Sequence, residues 1–281
     1  MKRRKFVGLG GLALSSLAVQ PKNVYSSIIK KSDVVRLGVI GTGGRGNWLI
    51  KLVKDIPGLE VTACCDVLPF RLEQGLSLAS PGAKSYTDYQ ELLNDKDIDA
   101  VIISTPLSMH YQMATDALDA GKHVYCEKTM TFTIEEALKL GKKVKSSNLK
   151  FQVGYQHRYN PLYQNIYNTI HEGYLGTVTH VEAHWNRNGN WRRPVRDPKF
   201  EKLINWRMYS EYSGGLMAEL CSHQVDLNDY VLDSHAQKIT GMGGNNYYKD
   251  GRETFDNIYT LLEYPNGLKA SFHSITTNAH E

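Results

Sequence analysis

The run Val35-Arg36-Leu37-Gly38-Val39-Ile40-Gly41-Thr42-Gly43-Gly44-Arg45-Gly46 constrains this chain more than any other stretch. Leu37 to Ile40 is a short apolar segment that reads as a buried strand, and it runs directly into glycines at 41, 43 and 46. That spacing serves three mechanical ends: a tight turn, a backbone that a pyrophosphate can approach, and a helix packed closely on its strand. Free N–H groups at the helix start, with the positive end of its dipole, suit phosphate. Gly41, Thr42, Gly43, Gly44, Arg45 and Gly46 are therefore candidate cofactor contacts. A helical pattern follows, with Trp48, Leu49, Leu52, Val53 and Ile56 on its expected inner face. A second strand, Leu59–Cys65, ends at Asp66, twenty residues beyond Gly46. A carboxylate there accepts hydrogen bonds from the adenosine ribose and repels a 2′-phosphate, which favours NAD over NADP, while Arg71 nearby keeps NADP open.

The chain has 281 residues, enough for two cores. Lys2-Arg3-Arg4-Lys5 precedes an apolar run, Phe6 to Val19, too short to span a bilayer and patterned as a signal peptide. Arg3-Arg4 followed by Lys5-Phe6-Val7 is similar to a twin-arginine signal, so the expected location is periplasmic or exported, with no stable membrane span after processing. There are 33 basic and 29 acidic residues in all. Four of the basic ones lie at positions 2–5 and no acidic one lies in the first twenty, so the remainder is balanced. That balance argues against a nucleic-acid partner. Cys64, Cys65, Cys126 and Cys221 show no CxxC pairing and read as small buried apolar groups.

Strand and helix patterns alternate as far as Phe151–Gly154, which predicts a doubly wound parallel sheet. Expected helices cover Phe70–Ala79, Tyr86–Leu93 and the segment closed by Gly121. Another opens at a Thr133/Glu136 capping box. Expected strands include Ala100–Ser104 and His123–Cys126. Beyond Tyr155 the texture changes: Asn160-Pro161 starts a helix, Val178–Trp185 reads as a strand, and a long polar, aromatic loop fills Asn186 to Tyr212. Gly214-Gly215 opens a helix to Leu232, and Pro265-Asn266-Gly267 marks a hairpin. The expected divisions are 1–31 (export signal and linker), 32–152 and 153–281.

Four features in this order resemble the glucose–fructose oxidoreductase / inositol dehydrogenase (Gfo/Idh/MocA) family of NAD(P)-dependent sugar dehydrogenases. They are the glycine turn, Thr105-Pro106…His110, Glu127-Lys128 after a strand, and Gly-Gly-x3-Glu-x3-His-x2-Asp from Gly214 to Asp226. The resemblance implies an α/β chain: an N-terminal Rossmann domain, then an α+β domain with a mostly antiparallel open sheet, incomplete at Glu281, and homo-oligomers in the full-length form. It implies catalytic roles for Lys128, Glu219 and His223, with Thr129 standing where proline is usual and Glu219 where aspartate is usual. On the cofactor side it implies Ser104, Thr105, Pro106, His110, Glu127, Gln156, Trp206 and Arg207. On the substrate side it implies His157, Arg158, Tyr159, Trp191, Arg192 and Asp226.

Chemistry supports these residue types independently. Oxidising an alcohol carbon sends hydride to a nicotinamide and a proton to a base with pKa near the working pH, for which histidine is suited. A lysine at the carboxyl end of a parallel strand can hydrogen-bond the reacting oxygen. Glu219 and His223, four apart, share a helix face. The aromatic, amide and guanidinium groups of the second domain suit a carbohydrate; they equally suit a subunit interface. His180 and His184 share a strand face but lack a third ligand at metal spacing, so no metal is expected. Two other outcomes keep the same cofactor: a glycosidase or lyase working through a transient 3-keto sugar, and a non-enzymatic nucleotide-binding subunit.

Overall fold

The structure is a computed structural model and describes residues 34–278. The basic, apolar N-terminal segment lies outside the described residues. Among those described, no helix is long and apolar enough to cross a membrane.

The first domain is a six-stranded, wholly parallel sheet in the order β3-β2-β1-β4-β5-β6. Its strands are β1 Val35–Ile40, β2 Leu59–Cys65, β3 Lys84–Tyr86, β4 Ala100–Ile103, β5 His123–Cys126 and β6 Phe151–Val153. Between them run α1 Gly44–Val53, α2 Pro69–Leu78, α3 Tyr89–Asn94, α4 His110–Asp119 and α5 Ile134–Ser146. Alternate side chains feed two cores, one on each face. Val39, Val61, Cys64 and Ile102 pack under α1 and α2, while Ala63, Cys65, Val101 and Ile103 pack under α3, α4 and α5. Each such fully buried aliphatic side chain contributes about 1.5–3 kcal/mol. The two adjacent cysteines thus enter opposite cores. All four cysteines are free and buried, and burial pushes the Cys64 and Cys65 thiols up to about 12 and Cys221 to about 11.

Two local expectations are corrected. The inner face of α1 is Gly46, Leu49, Ile50 and Val53; Trp48, Leu52 and Ile56 are exposed. Trp48 lies instead under the Arg45 guanidinium, 4.3 Å from ring centroid to Cζ. Tyr86 is not helical: it closes the short edge strand β3, and Asp88 caps α3 by accepting from Gln90 N. The α5 capping box forms as expected, Thr133 Oγ1 accepting from Glu136 N while Glu136 accepts from Thr133 N.

The second domain is a four-stranded sheet in the order β7-β10-β9-β8, with β7 His180–His184, β8 Lys238–Gly244, β9 Asn257–Glu263 and β10 Lys269–Ile275. β7 pairs parallel to β10, and the other two pairings are antiparallel. Asn266 and Gly267 both take positive φ in the β9–β10 turn, the demand that an Asn-Gly pair meets. Helices α6 Pro161–His171, the short α7 Glu201–Ile204 and α8 Ser222–Leu232 complete the domain. Leu262, Tyr264, Ala270 and Phe272 form its core with Val225 and Leu232. Leu261, Tyr259 and Met242 on the other face are exposed.

Candidate active site

Gly41 turns with φ +89°, a conformation that side chains rarely adopt, and brings the chain off β1. At Gly46 the need is proximity: a Cβ there would stand 2.0 Å from the Gly41 carbonyl oxygen. Thr42 is wholly buried beneath the turn. Its N–H donates to Asp66 Oδ2 at 2.9 Å and its hydroxyl donates to the Arg71 carbonyl at 2.8 Å. Asp66 Oδ1 accepts from Leu68 N at 2.9 Å, so the carboxylate fixes both loops while remaining on the cavity wall.

That cavity, about 870 Å³, lies at the carboxyl ends of β1, β2, β4 and β5, where open parallel sheets bind ligands. Gly41, Gly43, Gly44, Arg45, Asp66, Ser104, Thr105, Pro106, Glu127, Lys128, Gln156, Trp191, Trp206, Arg207, Glu219 and His223 all line it. Its dimensions and chemistry fit a dinucleotide. A Cβ on Gly44 would meet nothing within 4 Å, and the α1 N-terminus has neither an acidic first turn nor a side-chain cap. Two buried polar atoms of lining residues, Arg45 Nη2 and His223 Nδ1, have no partner among the described residues. Such groups ask for a ligand.

The chemical end of the cavity is an ionic cluster. Lys128, just past β5, donates from Nζ to the Glu219 carbonyl at 2.8 Å and lies 3.6 Å from Glu219 Oε2. The same Oε2 accepts from Arg207 Nε at 2.9 Å. Burial alone raises a carboxyl pKa, but Arg207 and Lys128 outweigh it, and the 5 % exposed Glu219 is held below the usual carboxylate range. Arg45 Nε donates to Glu127 Oε1 at 2.7 Å, fastening the glycine turn to the end of β5.

Glu219 lies in a π-helical turn, Met217–Cys221, running into α8. Because Ser222 N donates to Met217 O there, the Ala218 carbonyl is free for other donors. It accepts from Thr129 Oγ1 at 3.0 Å and Ser222 Oγ at 2.6 Å. The helical spacing of Glu219 and His223 thus brings both to the cavity, through a turn wider than the expected α-helix.

His223 is ringed by aromatic side chains: His157 at 5.0 Å, Trp185 at 5.4 Å and Tyr155 at 5.7 Å between centroids. Burial, then the charges of Lys128, His157 and Arg45, push its pKa down to about 3. It is therefore a neutral acceptor throughout the neutral range, not the base titrating near working pH that its residue type suggests.

Several expected contacts sit elsewhere. His110 is 1 % exposed and does not line the cavity; its ring nitrogens face the Thr129 and Thr105 carbonyls at 2.8 and 3.0 Å. It ties two cavity loops together from behind. Asp226 is engaged by Arg158 through both oxygens, at 2.6 to 3.0 Å, which pins the turn after Tyr155 to α8. Arg192 is committed to Asp250 and Glu201. Tyr159 points outward, 64 % exposed. Arg71 and Arg193 do line the cavity. Arg193 shows no motif spacing that singles it out. No group of three or more His, Cys, Asp or Glu residues able to hold a metal occurs among the described residues.

Comparison with known proteins agrees with this fold. Residues 35–155 match the oxidoreductase family with an NAD-binding Rossmann fold, and residues 163–281 match the GFO/IDH/MocA C-terminal domain. The chain is 28% identical over 250 residues to scyllo-inositol 2-dehydrogenase (NAD(+)) of Bacillus subtilis (strain 168), covering 88% of this chain and 68% of that protein. It is 29% identical over 233 residues to a glycosyl hydrolase family 109 protein of Shewanella pealeana, covering 74% and 50%. A crystal structure of an NAD-binding protein from Listeria innocua superposes with TM-score 0.73 at 28% identity, covering 88% and 68%. The chain spans about half to two thirds of the length of the curated relatives it matches. The two matched regions together, carrying the glycine turn, Lys128 and the Glu219/His223 helix, make this chain a member of the Gfo/Idh/MocA family of NAD-binding oxidoreductases.

Proposed function

We propose that this chain transfers hydride between NAD and an alcohol carbon of a sugar or cyclic polyol. The observation that carries the reading is the meeting of Lys128 and His223 in one cavity with the glycine turn and Asp66. When bound, NAD supplies the hydride acceptor. Lys128, aimed by the Glu219 carbonyl and carboxylate, donates a hydrogen bond to the reacting oxygen and stabilises its developing negative charge. His223, neutral, accepts the hydroxyl proton on a ring nitrogen. Its low proton affinity means that the proton moves on to solvent water instead of being stored. Trp185 and His157 pack against the His223 imidazole and hold it at the cavity wall. Glu219 acts through Lys128 and Arg207 and is a positioning residue. The scyllo-inositol dehydrogenase relative supports this substrate class.

The test begins with protein purified without added cofactor, denatured, its released nucleotide identified by mass and counted per chain. NAD(H) is expected, or, where purification strips it, binding on titration. Lys128→Ala and His223→Ala are expected to keep the cofactor and lose turnover of a polyol panel by at least a hundredfold. A chain that neither releases nor binds NAD(H) defeats the reading. Cleavage of a glycoside with no net change in NAD redox state instead favours the glycosidase alternative. The same reading takes 1–31 as an export signal, checked by cell fractionation, and expects self-association, checked by sedimentation.

A further inference from the structure

Arg193 is an arginine that the proposed chemistry leaves unused, on the long loop between β7 and the π-turn. It reaches from the second domain into the cavity that the glycine turn of the first also lines. Its backbone is held firmly. Arg193 N donates to Asn205 Oδ1 at 2.7 Å, and its carbonyl accepts from Asn205 Nδ2 at 3.0 Å. Asn205 is 2 % exposed and is itself fixed by Glu201. Pro194, next in sequence, further restricts that backbone. The Arg193 guanidinium, by contrast, has no ion pair or side-chain hydrogen bond among the described residues.

Arg71, on α2, mirrors it from the first domain. Its Nη1 lies 3.6 Å from where a Cβ on Gly43 would stand, so its guanidinium covers the glycine turn. It also forms no ion pair among the described residues. Burial lowers its pKa most, and the charges of Arg193 and Arg207 lower it further against the pull of Asp66. Arg193 and Arg207 are therefore near enough for their charges to act on Arg71. Glu219 pairs with Arg207, whereas Arg71 has only the field of Asp66 and the exposed Arg193 has no ion pair among the described residues. Two unpaired guanidinia on the wall of one cavity, one of them over an uncapped helix N-terminus, point to an anion between them.

We propose that Arg193 and Arg71 close from opposite domains as a clamp on the pyrophosphate of the dinucleotide lying over Gly43 and Gly44. This rests on the cofactor reading above and goes beyond it, because it gives Arg193, a residue that reading leaves without a role, a phosphate to hold from the second domain. Each guanidinium offers a planar fork of donors matched to phosphate oxygens.

The experiment uses the whole chain, stripped of nucleotide and titrated calorimetrically with NAD, NADP, ADP-ribose and adenosine. Arg193→Ala is expected to weaken NAD and ADP-ribose by about tenfold to a hundredfold, the worth of one charge-assisted hydrogen bond. Adenosine is expected to bind unchanged, and the salt dependence of NAD binding to flatten. Arg193→Lys, which keeps the charge but not the fork, is expected to recover part of the loss. Arg193→Gln, close in size, checks that the effect is loss of charge and not of folding. Wild-type protein that binds NAD while Arg193→Ala binds it equally well overturns the clamp and leaves the cofactor reading intact. A loss confined to NADP overturns it too, since the cluster would then read a 2′-phosphate; so does an equal loss for adenosine. Wild-type protein that binds no NAD defeats the underlying reading first.

Discussion

At the scale of single residues, the cavity sets its chemistry through burial and neighbouring charge more than through residue type. His223 is the clearest instance. Its folded-state pKa, about 3, lies below the ordinary 6.5, chiefly from burial and then from Lys128, His157 and Arg45. Below pH 6.5 the unfolded chain takes up a proton that the folded one refuses. This contribution to stability is therefore complete above about pH 6.5 and is lost progressively as pH falls toward 3. Urea denaturation should show His223→Gln losing less stability than wild type between pH 7 and pH 4. An NMR titration of the assigned ring should show no inflection between pH 5 and 8. A midpoint near 6.5 would contradict the burial argument and restore His223 as a base titrating near neutrality. Gly44 and Gly46 make a second contrast, since only at Gly46 would a Cβ strike backbone. Gly46→Ala should cost several kcal/mol by thermal or urea denaturation, through overpacking beyond what a shift of the chain relieves, whereas Gly44→Ala should change stability by less than about 1 kcal/mol.

At the scale of elements, the π-turn Met217–Cys221 is what joins the two halves of the site. The redirected hydrogen bond exposes Ala218 O to the Thr129 hydroxyl, while Glu219 O receives Lys128. Thr129→Val, which keeps the shape and removes the donor, should cost about 1 kcal/mol and slow turnover severalfold, with NAD affinity unchanged. Thr129→Ser should restore both. An unchanged turnover rate in Thr129→Val would show that Lys128 is aimed without this contact. The glycine turn and the parallel sheet were legible because each depends on local spacing or on a strong apolar run; Lys128, Glu219 and His223 were singled out by the family resemblance, and the structure brings them to one cavity. The π-turn was not, since its residues carry the same helical pattern as an α-turn. β3 escaped because three residues on a sheet edge display no periodicity. Asp226 looked free to reach a ligand because its partner, Arg158, is 68 positions away in sequence. Arg193 looked no different from Arg192: what separates them is which one finds carboxylates, and that is a tertiary fact.

At the scale of the whole molecule, the dinucleotide cavity is walled by both domains, and every cross-domain polar link described lies at or behind that wall. Lys128 and Thr129 reach the π-turn, and Ser108 N donates to Tyr212 O at 3.3 Å. A ligand that binds only the folded form stabilises it by about 2.7 kcal/mol at a hundred times its Kd. For a cooperative unit of this size, in which each kcal/mol moves Tm by about 2–4 °C, that raises Tm by about 5–11 °C. Where the nucleotide touches the first domain alone, calorimetric melting should show only that domain's transition rising with NAD, the second domain's staying put. Binding across both domains predicts that the two transitions move together or merge into one as NAD is added. In Arg193→Ala the second domain's share of the shift should shrink while the first domain's persists, because Arg71, Asp66 and the glycine turn remain. An NAD-induced shift identical in wild type and Arg193→Ala would mean that the domains are coupled through the Lys128–Glu219–Arg207 cluster alone, and that the nucleotide is held by the first domain without help.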